Sequence, residues 1–167
     1  MNRFIIEESP KKIAQSLCDQ HIVKMPLEEA QMLCTALWQV APDYAKACDL
    51  YKPVHQKHPC TLWAMESHKN YKFAFRLYHH MLEEYTRRYG RVHGAKKHYN
   101  SLLNGIPLIS EGYITQHPQC FSGLDELKTN EFYPIKAYRA FYNVDKARFA
   151  RYKYTDRPAW FKEVNYE

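Results

Sequence analysis

An all-α fold is the prediction, and three observations carry it. Leu27, Ala30, Leu33, Cys34 and Leu37 recur at spacings of three and four, the period of a helix with one buried face. Tyr71, Ala74, Phe75, Tyr78, Met81, Leu82 and Tyr85 repeat that pattern over a longer stretch, and PIKAYRAFYNVDKARFARY (134–152) forms a third amphipathic run. Start and stop signals agree with the periodicity. Ser9-Pro10 offers a capping hydroxyl followed by proline at the first helical position, and Gly90 closes the 71–85 pattern behind basic residues. With 167 residues, 46% hydrophobic and 15% aromatic, the chain can bury a real core and lies outside the disordered range. The expectation is one compact domain over 1–167, of about five to seven helices.

Each element follows in order. Phe4-Ile5-Ile6 reads as a short strand or an extended arm. A first helix spans 10–22, with Ile13, Leu17 and Cys18 as its apolar stripe. Pro26 either kinks that helix or opens the next, which runs to about Val40 with Leu27, Ala30, Leu33 and Leu37 on its core side. Residues 41–59 hold three prolines and read as an irregular connection with room for one helical turn. The chain is helical again from Cys60, with a long helix over 68–89 and a shorter one over 94–103. Three glycines and two prolines mark 105–131 as loop. A last helix covers 134–152, and 153–167 form an irregular aromatic tail. The first two helices should pack on the 68–89 helix, burying Leu17, Leu33, Leu37, Phe75, Tyr78 and Leu82.

Composition excludes several functional classes. Five glycines, with no GxGxxG and no GxxxxGK[ST], argue against a phosphate-cradling nucleotide loop. MNRFIIEESPKK lacks the apolar stretch of a signal peptide and no run approaches a membrane span, so a cytoplasmic location without a membrane partner is expected. The five cysteines (18, 34, 48, 60 and 120) are odd in number and form no C-x-x-C, which fits free thiols in a reducing compartment. His55-x2-His58 with Cys60, and His117-x2-Cys120, are zinc-ligand types in proline-containing loops. Without the C-x-x-C hallmark they predict no metal, and no other cofactor is expected.

Charge points to a partner. Lys and Arg outnumber Asp and Glu 24 to 18, for a net +6, which suits DNA or a nucleotide. RRYGRVHGAKKH (87–98) concentrates Arg87, Arg88, Arg91 and Lys97 around a helix end. Phosphate contacts and a solvated terminus complementing its dipole are both open readings. The aromatics of 138–154 sit at helical spacing and read as core, whereas Trp160 lies outside a clear helix and is the better base-stacking candidate.

The stretch CDQHIVKMPLEEAQ (18–31) carries the chemistry. If the helix continues through Pro26, His21, Lys24 and Glu28 lie at i, i+3 and i+7 on one face. An imidazole, a primary amine and a carboxylate within two turns suit proton transfer, Schiff-base formation or stabilisation of an oxocarbenium-like sugar cation. The plainer reading is a wet helix face with one Lys–Glu pair worth about 0.2–0.5 kcal/mol.

CDQHIVKMPLEE, with MNRF before it and RPAWFK near the end, resembles the pyrimidine-dimer DNA glycosylase (endonuclease V) family of phages. It is also similar to a group of small phage proteins of unassigned activity. Members of the glycosylase family are small and all-helical, with M-x-R at the start, D-Q-H on the first helix, a glutamate seven positions after the histidine, and R-P-x-W-aromatic-K at the end. The matching positions are Arg3, Asp19, Gln20, His21, Glu28, Arg157, Pro158, Trp160, Phe161 and Lys162. The resemblance implies base excision from DNA. An N-terminal amine attacks the sugar C1′ of a flipped or distorted lesion, and Glu28 stabilises the cation and assists β-elimination. His21 helps binding, Arg3 contacts a phosphate, and Trp160 and Phe161, flanked by Arg157 and Lys162, lie against the DNA. Three positions depart from the family. Asn2 replaces the threonine whose amine is freed by Met removal, and Leu27 and Gln31 stand where the family has arginines. Lys24 is then the candidate amine, provided burial sets it apart from a surface lysine. The expected function is a glycosylase, possessing or lacking abasic-site lyase activity, in DNA repair or base modification. The alternatives are a nucleotide-processing enzyme of phage DNA metabolism and a non-catalytic helical nucleic-acid binder.

Overall fold

The computed structural model describes residues 1–162, and among them there are helices and loops and no strand. Phe4-Ile5-Ile6 is an extended arm, buried throughout. Seven α-helices follow among these residues: α1 (Pro10–Ser16), α2 (Asp19–Val40), α3 (Pro42–Ala47), α4 (Pro59–Glu66), α5 (His68–Tyr89), α6 (Tyr99–Asn104) and α7 (Ile135–Phe141). Ser9 caps α1 as its sequence predicts, its hydroxyl accepting from Lys12 N, and Ser67 caps α5 through Asn70 N. Gly90 ends α5 at φ 68°.

The helices α1, α2 and α4 lie along α5. Two apolar clusters result. One gathers the arm, α1, α7 and Phe161; the other gathers the C-terminal half of α2 with α3, α4 and α6. Helix α5 feeds both, through Leu77 and Met81 on one side and Phe75, Tyr78 and Leu82 on the other. The six expected core residues are buried, from Leu17 to Leu82.

Three expectations need correction. The first helix stops at Ser16 and the second begins at Asp19, so the break falls at Leu17-Cys18 and α2 runs unbroken through Pro26. The last helix stops at Phe141, continues as one π-turn over Tyr142–Lys146, and leaves helical form before the expected end at 152. Leu27 is exposed, because α2 turns Met25, Glu29, Met32 and Leu33 inward. The 94–103 helix opens as a 3-10 turn over Gly94–His98 before α6, and α3 fills the allowed turn in 41–59. Of the expected aromatic tail, 163–167 lie outside the described residues. No helix among the described residues is long and apolar enough to cross a membrane.

Candidate active site

The N-terminal arm is clamped against α2 by a buried ion pair. Arg3 Nε donates to both Glu29 carboxylate oxygens at 3.2 and 3.0 Å, while Nη1 donates to Cys60 O at 3.3 Å and the guanidinium lies 5.1 Å from the Trp63 ring. Burial pushes the Glu29 carboxyl up, against the opposing pull of Arg3. Arg3 is 2% exposed, so the phosphate contact expected of it is not available here; it is a fastener between the arm, α2 and α4.

Asn2 extends that fastening. Its Nδ2 donates to Cys120 O at 2.9 Å, and its Oδ1 accepts from Tyr138 Oη at 2.9 Å and from Arg3 N at 2.8 Å. The residue that departs from the family's threonine is therefore a buried anchor. It sets Met1 in the lining of a cleft of about 340 Å3.

Adjacent glutamates of α2 point opposite ways. Glu29 turns to the core, and Glu28 turns to the cleft, where His21, Lys24 and Met25 join it from the same helix. Glu28 Oε1 lies 3.2 Å from Lys24 Nζ and its Oε2 lies 3.9 Å from the α-amino group of Met1. One carboxylate is thus flanked by two amines. The Glu28 side chain is 13% exposed and that of Lys24 68%, so the burial that would set Lys24 apart from a surface lysine is missing.

The remaining motif residues hold the frame. Asp19 pairs with Arg88 at 3.1 Å and accepts from Lys153 N; Gln20 Nε2 donates to Phe149 O and its Oε1 accepts from Arg151 N. Together they tie the start of α2 to the segment after the π-turn. His21 stacks on Phe4 at 4.7 Å, with Nδ1 2.7 Å from Tyr142 Oη, which also accepts from Cys18 N. Because that oxygen already accepts from Cys18 N, we assign its O–H as the donor to Nδ1, which leaves the ring proton on Nε2. Burial, with Lys146 and Lys24 nearby, lowers the His21 imidazole to about 3, so it is neutral at pH 7. A neutral ring can orient a substrate, the binding role that the resemblance implies, whereas the proton transfer that its residue type suits calls for an imidazole titrating nearer neutrality.

The opposite wall was not anticipated. Cys120, Phe121 and Ser122 come from the long loop, and Phe141, Asp145 and Lys146 from α7 and its π-turn. Lys146 pairs with Asp145 at 2.7 Å and lies 5.2 Å from the Phe141 ring. No local pattern marks a loop residue as a wall; the nearest signal is the Asn2 side chain, which has to find partners once buried.

The family model for pyrimidine dimer DNA glycosylases matches residues 1–98, more than half of the chain. The chain belongs to that family. No curated protein and no solved structure matches it. The glycosylase match takes in the arm, α1, α2 and α5, and with them both amines and Glu28. The wall over 120–146 lies beyond it.

The other predicted nucleic-acid residues scatter. Arg88 is 7% exposed and donates to Glu84, Asp19 and the carbonyls of Leu17 and Gln15, so it is a joint at the α1–α2 corner and not a phosphate contact. Arg87 is exposed but engaged with Glu84 and Thr155. Phe161 is buried in the core, and Trp160 is half-buried, its Nε1 donating to Glu7 at 2.7 Å under the Arg139 guanidinium. A stacking role for either is not supported by this packing. Arg91, Lys97, Arg157 and Lys162 are exposed, with Lys97 Nζ 4.7 Å from the Tyr51 ring.

Proposed function

We propose that the protein is a DNA glycosylase that breaks the N-glycosidic bond of a damaged or modified pyrimidine and then cleaves the abasic strand. One observation carries this reading: Glu28 sits between the Met1 α-amine and Lys24 in a cleft large enough for a single nucleoside. Family membership supplies DNA as the partner. The amine, as free base, attacks C1′ while the base departs; opening of the sugar ring, with a proton to O4′, gives a protonated imine, which makes the C2′ proton acidic enough for β-elimination that expels the 3′-phosphate. Glu28 stabilises the positive charge developing at C1′ and takes up the amine's proton. Both steps need a carboxylate beside a primary amine.

Of the two amines, Met1 is the better nucleophile by preorganisation. Its position is fixed by the three hydrogen bonds of Asn2, whereas Lys24 is an exposed, long side chain. His21 Nε2–H and Lys146 would orient sugar or phosphate from the flanks.

The test is borohydride trapping on duplexes carrying an abasic site or ultraviolet dimers, followed by mass mapping of the cross-linked peptide. The expected adduct maps to Met1, survives Lys24→Ala, and forms at least about 100-fold more slowly in Glu28→Gln, whose DNA affinity is retained. An adduct lost in Lys24→Ala would move the nucleophile to Lys24. Absence of adduct and of base release from DNA, with release from a free nucleotide, would replace the repair reading with nucleotide processing.

A further inference from the structure

His58, Cys60 and Cys120 converge at the head of α4. Each has one ligand atom, an imidazole nitrogen or a sulfur, within 4.8 Å of the others. The two Sγ atoms lie 3.3 Å apart although the residues are 60 positions apart in sequence. Cys60 is buried, while His58 and Cys120 are half-buried and leave one side of the group open to solvent. His55 and His117, which share the sequence pattern, stay outside: His55 is 6.5 Å from His58 between ring centroids, and His117 stacks on Trp63.

The backbone around the two thiols is held from both sides. Cys60 O accepts from Arg3, Cys120 O accepts from Asn2, and Cys120 N donates to Tyr138 Oη at 3.0 Å. His58 Nδ1 accepts from Cys60 N at 3.1 Å, which aims that nitrogen into the turn carrying the first thiol. We propose that His58, Cys60 and Cys120 form a zinc site of two thiolates and one imidazole with solvent in the fourth position. Thiolates select a soft or borderline ion such as Zn2+ over Mg2+ or Ca2+, and three ligands with one open place are within its usual chemistry. On binding, both thiols release their protons and two Zn–S bonds form. Nδ1 exchanges the Cys60 N–H for the metal. The ion would brace α4 against the segment that carries Cys120, Phe121 and Ser122, the far wall of the cleft. It takes no part in the chemistry at Glu28.

The experiment uses the full chain, reduced and freed of metal by chelation, titrated with Zn2+ and with Co2+. One ion per chain, an intense thiolate-to-cobalt band in the near ultraviolet and a zinc-dependent rise in Tm are expected. Cys120→Ser and His58→Ala, both at half-buried positions, should each weaken zinc binding by more than about 100-fold, beyond what loss of an outer partner costs. Cys60 is fully buried and its replacement would disturb the core, so the two half-buried ligands are the ones to change. Absence of the cobalt band, or a stoichiometry that Cys120→Ser leaves intact, would overturn the site. So would a chain that binds no zinc once reduced but is isolated lighter by two hydrogens, with Cys60 and Cys120 joined; the pair would then be a redox couple.

Discussion

Single residues decide which face of α2 meets the cleft. Glu28 and Glu29 are neighbours of the same type that the helix points about 100° apart, and the buried Arg3 pairs with the one turned inward. Removing one member of a buried ion pair strands the other charge in the core, at a cost of about 3–5 kcal/mol, while an apolar replacement of both is close to neutral. Glu29→Ala should therefore lose that much in urea unfolding, and Arg3→Met combined with Glu29→Leu should lose less than Glu29→Ala alone. If the double variant is the weaker one, the pair contributes net stability and the clamp is more than a positioning device. Hydrophobic periodicity placed Leu27 in the core because it counts apolar residues alone. It has no means of seeing that a charged partner 26 residues away brings a glutamate inside instead. The His21, Lys24 and Glu28 face was legible because it needs only helical spacing. The N-terminal amine was implied by the resemblance and passed over for Lys24 because of Asn2; the place of Met1 beside Glu28 was not legible, since it depends on Asn2 finding Cys120 and Tyr138 more than a hundred residues later.

At the scale of elements, helix ends were read well wherever the signal was local. Ser9-Pro10, the 68–89 helix and Gly90 stand where the sequence placed them. Gly90 holds φ 68° with nothing within 4 Å of the place a Cβ would occupy, so its substitution tests backbone strain alone. Gly90→Ala should lower stability by about 1 kcal/mol and Gly90→Asn by less, read from thermal or urea unfolding. An equal loss for both would implicate something other than the left-handed cap. The α1–α2 break was misplaced because its causes are tertiary. Cys18 N donates to Tyr142 and the Leu17 carbonyl accepts from Arg88, so the backbone groups freed at the corner are satisfied by α5 and the π-turn. Proline at 26 was the stronger local signal and the weaker physical one. The early end of α7 has a similar origin, for the chain beyond the π-turn must bring Phe149 O to Gln20 and Lys153 N to Asp19.

Across the whole molecule, buried imidazoles set the response to acid. Burial lowers His21 and His117 to about 3 from an ordinary value of 6.5, and both His117 ring nitrogens lack a hydrogen-bond partner. Between those limits the unfolded chain binds protons that the folded chain refuses. Stability is then complete above about pH 6.5 and falls toward pH 3, by up to about 1.4 kcal/mol per pH unit for each histidine. Thermal midpoints from pH 7 to pH 4.5 should drop, and His117→Phe, which keeps the ring against Trp63, should flatten the slope by one proton's share. An unchanged slope in that variant would show that the acid sensitivity lies elsewhere. The all-helical class was legible from periodicity throughout, whereas the cleft belongs to no single stretch. Its walls are bonded across 118 and 136 residues of chain. Met1 and Glu28 are made before Cys120, Phe141 and Lys146, which close the cleft from the other side. A nascent chain therefore holds Met1 and Glu28 before the cleft around them exists, and the cleft forms only when the segment from Cys120 to Lys146 has folded back over the arm and α2.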